Sequence, residues 1–359
     1  MYVMALGAVI GGMDHILGNR FGLGQWFEEA FQLLGSIGLS MAGVICLAPL
    51  LSEGLGMVVV PLFRFLGFDP GMFGSILAID MGGYQMAMDL AIDPEIGQFS
   101  GIIVSAIFGC TVVFTIPVGM GAMGEEDRPY FTKGILLGLT SMPGGILVGG
   151  LVFGLNISSI LWNCLPIFLL CGLLCFGLLK KPDAMTTAFQ KFAVLIQKLA
   201  SFGLMVGSVQ YMTGQEFLPG LIPLEEAMKV VCSIAIVMLG SMPLAELLQR
   251  ILKGPFAWIG RRTGLNAAST TGLLIGMVSV TPALAMMKRM DPRGKVVNGA
   301  FLVCAASAFA AHLGFCLSVQ PEMATALLSA KLLGGVLGIG ISLIATKNPT
   351  CIDKPDVVI

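Results

Sequence analysis

Apolar residues dominate the chain in long unbroken blocks rather than in a helical or alternating pattern with a wet face. Windows near 31–52, 99–122, 133–154, 157–179, 192–212, 228–249, 295–318 and 325–346 are each long enough to cross about 30 Å of hydrocarbon as a helix. Two further windows, 72–88 and 267–287, carry a glycine pair or a proline inside them, the pattern of a broken helix. Residues 1–24 read as a marginal span or interfacial segment, with no basic stretch ahead of it and no small-residue cleavage site after it. Trp26, Tyr130, Trp162 and Tyr211 fall near window ends, where an aromatic belt would place them.

Basic residues collect between windows. Lys180, Lys181, Lys191 and Lys198 share one connection, Arg250, Lys253, Arg261 and Arg262 another, Lys288, Arg289, Arg293 and Lys295 a third, and Lys347 and Lys354 lie at the end. The positive-inside rule puts all four groups in the cytoplasm. The second and third groups flank 267–287, so that window enters and leaves on one side, as a re-entrant hairpin does.

An offset of 197 residues superposes parts of the two halves: Glu28-Glu29-Ala30 on Glu225-Glu226-Ala227, Gly43 on Gly240, and Arg64, Gly67 and Asp69 on Arg261, Gly264 and Asn266. We read this as an internal duplication. Five spans would separate equivalent points, and an odd number inverts the second copy. The first short window is flanked mainly by acid (Asp69, Asp89, Asp93, Glu95) and the second by base, in keeping with opposite orientations.

The predicted fold is an all-α polytopic membrane protein of about 8–11 transmembrane helices, with two inverted repeats, each holding a re-entrant or broken-helix segment. Repeat 1 covers 25–155 with a hairpin at 72–88, connecting spans fill 156–215, repeat 2 covers 216–347 with a hairpin at 267–287, and 348–359 forms a short cytoplasmic tail.

Composition narrows the class. The 359 residues are 56% hydrophobic and only 11% charged, with mean hydropathy +0.91, whereas a soluble domain carries roughly 25% charge. A soluble enzyme is excluded. Twenty basic against 21 acidic residues leave no positive excess for nucleic acid. Cys46, Cys110, Cys164, Cys171, Cys175, Cys232, Cys304 and Cys316 lie in apolar runs without a C-x-x-C and read as small buried hydrophobes.

Asp80, in Ile-Leu-Ala-Ile-Asp-Met-Gly-Gly-Tyr-Gln, is the one acid in the middle of an apolar window. A charge there costs about 2.5–3.5 kcal/mol on insertion scales, so it faces a partner or a cavity. Gly82 and Gly83 permit a tight turn that puts the carboxylate near a hairpin tip, where it attracts a small cation; the alternative is a protonated or internally paired structural acid. The second tip, by the same offset, is Ser279-Val280-Thr281-Pro282 opposite Gly82-Gly83-Tyr84-Gln85. An acid and an aromatic ring facing two hydroxyls suit an ammonium group on a short polar tail, though Ser279 and Thr281 can equally bond the preceding turn. His312 either relays protons or packs against a neighbouring helix. Asp14, Glu28 and Glu29 read as helix-end acids.

Gly119-Met-Gly-Ala-Met-Gly124 matches a dinucleotide fingerprint by letter but ends a span, outside any βαβ unit. No nucleotide-binding loop, zinc-protease or nucleophile-elbow motif occurs, and two His in all give a metal enzyme little to work with. No cofactor is expected.

Phe27-Glu-Glu-Ala-Phe, Ala48-Pro-Leu-Leu, Met72-Phe-Gly, Asp80-Met-Gly-Gly, Phe114-Thr-Ile-Pro, Met290-Asp-Pro-Arg-Gly-Lys-Val and His312-Leu-Gly-Phe, in that order, resemble the ethanolamine permease (EutH) family of bacterial ethanolamine-utilisation systems. The resemblance covers nearly the whole chain. It implies a multi-pass protein of the bacterial inner membrane that admits ethanolamine, which soluble partners degrade to acetaldehyde and ammonia with a cobalamin-dependent lyase. It supplies no site residues. The expected substrate site therefore rests on the residue reading: Asp80, Tyr84, Gln85, Gly82, Gly83, Ser279 and Thr281, with His312 as the proton relay. The expected partners are ethanolamine and the lipid bilayer, and glycine-lined helix faces leave a homo-oligomer open. Two other classes compete: a membrane scaffold or sensor that transports nothing, and a membrane-embedded enzyme using Asp80 and His312 as acid and base.

Overall fold

The computed structural model describes residues 1–77 and 80–347, with the backbone alone at Asp80. The expected tail 348–359 and the Asp80 side chain lie outside the described residues. Every described element is helical. In chain order they are α1 (Tyr2–Ile16), α2 (Gly24–Gln32), α3 (Leu34–Leu66), α4 (Met72–Leu77), α5 (Gly83–Leu90), α6 (Pro94–Gln98), α7 (Ile116–Ala122), α8 (Arg128–Phe153), α9 (Ile157–Asn163), α10 (Leu165–Lys180), α11 (Pro182–Thr213), α12 (Leu224–Thr263), α13 (Ala267–Gly276), α14 (Val280–Met286), α15 (Pro292–Ala305), α16 (Ala311–Val319) and α17 (Ala324–Ala345). Two π-helical segments, Phe99–Gly109 and Thr111–Thr115, join α6 to α7.

Among the described residues, six helical stretches are long and apolar enough to cross a membrane, and α9 with α10, bent by 49°, make a seventh. The protein is thus a multi-pass membrane protein. That is fewer continuous spans than the apolar windows suggest. Window 295–318 accounts for part of the difference, because it is two helices, α15 and α16, parted by an unwound stretch at Ala306–Ala310.

Both short windows are interrupted. In the first, α4 and α5 flank a 3₁₀ turn at Asp80–Gly82 and pack together. Small residues permit this, since a Cβ on Gly74 would lie 2.6 Å from Ala87 Cβ. In the second, α13 and α14 pack together on either side of Met277–Ser279. Pro282 in the first turn of α14 suits a restart there.

The 197-residue offset marks structure as well as sequence. Gly67 ends α3 at φ +78° and Gly264 ends α12 at φ +74°, in the left-handed conformation that glycine adopts without strain. Each is followed by a side chain that closes the open end of the next hairpin. The Asp69 carboxylate accepts from the Gly71, Ile92 and Asp93 N–H groups at 2.8, 3.1 and 2.8 Å. Asn266 caps α13 through Ser269 N–H, and Asp291 accepts from Asn266 N–H, Ser269 Oγ and Gly294 N–H.

Two helix pairs approach closely at glycine. α1 lies on α12 and α11 on α3. A Cβ on Gly43 would lie 1.8 Å from Ala200 O of α11, and one on Gly240 would lie 1.8 Å from Met4 O of α1. Glycine lets the backbones approach this closely, the way membrane helices associate where lipid removes the hydrophobic drive. α8 and α17 run antiparallel: Gly149 meets Ala330, Gly145 meets Gly334 and Ser141 meets Gly338. The stretch from α6 to α7 is the most enclosed of the spans, and α11 faces mostly outward.

The Met290-Asp-Pro-Arg-Gly-Lys stretch is a clamp. The Arg293 guanidinium donates to Thr263 O, to Leu343 O (3.0 Å) and to Thr346 Oγ1 (3.1 Å), holding the ends of α12 and α17 to the start of α15. Lys295 Nζ pairs with Asp127 Oδ1 at 2.5 Å. Among the described residues the eight cysteines form no disulfide; six of them are buried and Cys175 and Cys232 half-buried.

Candidate site at the interrupted helices

The π-helical segment Phe99–Gly109 is wholly buried, with α4, α5 and the Asp80–Gly82 turn packed on one another and on it. π-Helical turns recur at functional sites because they free backbone carbonyls from the ordinary ladder. Gly82 and Gly83 are buried at the start of α5. A Cβ on Gly83 would lie 2.7 Å from Gly74 O and 3.7 Å from Ser105 Oγ, so glycine keeps room beside that hydroxyl. Ser105 is 1% exposed, and its Oγ has no hydrogen-bond partner among the described residues. Buried hydroxyls are nearly always paired, so an orphan beside a hairpin tip calls for an explanation.

Tyr84, half-buried, lays its ring over Gly101 and meets Phe315 of α16 edge-on, with centroids 5.8 Å apart. His312, 2% exposed, begins the same helix. Its Nδ1 lies 3.1 Å from Ala306 O, a carbonyl that only accepts, so Nδ1 carries the proton in that contact. Gln85 is engaged elsewhere: its Nε2 donates to Asp89 Oδ1 (2.8 Å), while Ser52 Oγ donates to Asp89 Oδ2 (3.2 Å).

The second tip meets the break in the α15–α16 span. Ser307, at φ +51°, donates its N–H to Gly276 O, and Phe309 donates to Met277 O, both at 2.9 Å. Thr111 Oγ1 donates to Val303 O at 2.9 Å, tying the π-helical region to the end of α15. The break in the second hairpin and the break in the α15–α16 span therefore meet; interrupted helices are where transporters place substrate and ions.

Ser279 is half-buried and Thr281 exposed, and neither hydroxyl makes a hydrogen bond among the described residues. The two tips contact different helices. α14 packs on α7, whereas Tyr84 packs on α16. No hydrogen bond or ring contact joins Tyr84 or Gln85 to Ser279 or Thr281 among the described residues. Tyr84, Gly83, Ser105, Phe315 and the His312 helix are brought together.

Two buried polar residues went unremarked in the sequence. Ser105 carries no signal there, being a small residue in an apolar run. Lys331 does: it stands alone within window 325–346. Its side chain is fully buried, and Nζ donates to Ala106 O at 2.7 Å. Near the mouth of the first hairpin an open cleft of about 330 Å³ is lined by Arg64, Asp69, Asp93 and Asn163, but Asp69 is spent on its backbone bonds and Asn163 Oδ1 accepts from Asp69 N–H. Among the described residues no three His, Cys, Asp or Glu side chains gather as a metal would require.

A profile of the family described as "Ethanolamine utilisation protein, EutH" matches residues 1–345. The chain belongs to the EutH family. It is 38% identical to the "Probable ethanolamine permease EutH" of Listeria monocytogenes, with 96% of this chain and 92% of that protein covered. It is 36% identical to the Escherichia coli protein of the same name, covering 96% and 94%, and 40% identical to the Bacillus subtilis "Uncharacterized protein YxeR", covering 94% and 91%. No solved structure matches. EutH membership spans both interrupted hairpins, the broken α15–α16 span and the Arg293 clamp, so these features lie within the family's common extent rather than in an added region.

Proposed function

We propose that this EutH protein is an ethanolamine permease of the bacterial inner membrane that binds ethanolammonium beside the tip of the first hairpin. The observation that carries the reading is the orphan Ser105 hydroxyl, buried against Gly83 within a bundle of interrupted helices, in a family whose relatives are named ethanolamine permeases. In this reading Asp80 pairs with the ammonium, Tyr84 presents its ring to it, and Ser105 or a second-tip hydroxyl, Ser279 or Thr281, bonds the alcohol. His312, at the break, passes a proton in this reading. Ethanolammonium has four heavy atoms, so its binding tops out at about 6 kcal/mol, or tens of micromolar, which is tight enough to fill a permease at low supply.

The close packing of α1 on α12 and α11 on α3, with the antiparallel run of α8 and α17, supports an inverted pair of repeats and hence alternating access about the interrupted helices. The basic connections then face the cytoplasm.

The test is uptake of labelled ethanolamine at low concentration and acid pH, where entry of the neutral amine is slow, together with counterflow in proteoliposomes. Asp80→Asn is expected to abolish both while the protein still reaches the membrane. Wild-type-level uptake by Asp80→Asn refutes the ion pair, and absence of counterflow in the wild type refutes transport of this substrate.

A further inference from the structure

Lys331 is the one fully buried lysine among the described residues, and it lies within a helix long and apolar enough to span a membrane. The site reading leaves it unused. Its Nζ reaches across to Ala106 O, inside the π-helical segment whose other contacts include the Asp80–Gly82 turn. Lys331 thus bonds the residue next to the orphan Ser105, whose hydroxyl lies beside Gly83 of the first hairpin. Position 134, equivalent to 331 by the 197 offset, is glycine, so the lysine belongs to one half only.

We propose that Lys331 is a proton-exchange site that makes substrate entry electroneutral: binding of ethanolammonium at the first tip drives the proton off the Lys331 ammonium, and its departure lets the proton return. This inference rests on the permease reading. Proton balance is simple. One ammonium cation enters the protein, one N–H bond of the lysine breaks and its proton leaves to water on the face the substrate came from; when the substrate departs to the other face a proton from that face returns, so no net charge crosses. The physical basis is that a desolvated lysine readily exists neutral, and two unit charges within about 10 Å of each other in a protein interior repel enough to change an affinity on the order of tenfold.

The elements packed on α17 contribute, among the described residues, these titratable or charged groups: Cys304, Arg293 and Lys295 on α15, Arg128, Tyr130 and Lys133 on α8, His312 and Cys316 on α16, and Glu322 just before α17. The π-helical segment Phe99–Gly109 contributes none of its own. Cys304 is the nearest in the packing, meeting Gly334 one turn along α17, and His312 lies at the break.

The experiment uses the full-length protein in liposomes, with labelled ethanolamine, an imposed pH gradient and, separately, a potassium–valinomycin potential. In the wild type, an acid lumen is expected to raise net uptake on the order of tenfold, and an inside-negative potential to leave it unchanged. Lys331→Met is expected to keep ethanolamine counterflow, lose the response to the pH gradient and gain a response to the potential. Lys331→Arg, which keeps a charge that does not come off, is expected to lose pH-driven uptake as well, and stands in if the Met variant does not fold. Wild-type uptake that follows the potential rather than the pH gradient overturns the proposal, as does a folded Lys331→Met that keeps its pH response or loses counterflow. A wild type with no counterflow at all instead fails the permease reading itself.

Discussion

Replacing Ser105 by alanine separates a binding hydroxyl from a structural one. The side chain is 1% exposed and its Oγ is unpartnered among the described residues. Burying a hydroxyl without a hydrogen bond costs about 1–3 kcal/mol in proteins, and alanine removes that penalty while leaving a gap of one oxygen atom. Ser105→Ala is therefore expected to stabilise the substrate-free protein by about 1 kcal/mol, read as a rise in apparent Tm on the order of 1–2 °C for a chain of this length. If Ser105 bonds the ethanolamine hydroxyl, losing a neutral hydrogen bond of about 0.5–1.5 kcal/mol raises the half-saturation concentration roughly 2- to 10-fold. The assay pairs thermal unfolding in detergent with concentration-dependent counterflow in proteoliposomes. A lower Tm with unchanged counterflow would show that the hydroxyl is a structural hydrogen-bonder. A higher Tm with unchanged half-saturation would place the substrate elsewhere.

Two further substitutions probe the frame that holds the site. Gly43→Ala and Gly240→Ala each drive a methyl group to 1.8 Å from a backbone carbonyl, so each should destabilise by about 3 kcal/mol, the upper end for overpacking. The two effects should match and, since the two glycines have different partners, should add to within about 0.5 kcal/mol in the double variant; chaotrope unfolding in detergent reads this, and a large cost at one site with none at the other contradicts equivalent packing at the two glycines. Asp69→Asn keeps the shape but loses the charge that serves three N–H groups, at about 1.5–3 kcal/mol. Faster hydrogen exchange across 69–93 should report it, and unchanged protection would remove Asp69 from the role of latch.

Much of this protein follows from short-range chemistry that a linear reading captures. Sparse charge and long apolar blocks require a bilayer, because water cannot solvate such a surface and an apolar helix satisfies its own backbone there. The paired Arg-x-x-Gly-x-Asp/Asn motifs locate two helix stops, since only the glycine takes φ near +75° without strain. Gly82-Gly83 and Pro282 likewise announce breaks. The family resemblance was legible too, as an ordered run of such local motifs.

Other features exist only because distant segments meet. Ala305-Ala-Ser-Ala-Phe-Ala-Ala311 has strong helical propensity, with neither glycine nor proline, yet it unwinds at Ala306–Ala310. There the Ser307 and Phe309 N–H groups find their acceptors on the second hairpin, at Gly276 and Met277, so tertiary hydrogen bonds outweigh local preference. The π-helical widening of Phe99–Gly109, the orphan hydroxyl of Ser105 and the reach of Lys331 to Ala106 have the same origin. Each depends on what lies within a few ångströms across the bundle, information that spacing along one chain does not carry. Sequence decided where this chain could cross and where it had to stop; packing decided which polar groups were left facing one another in the dry interior.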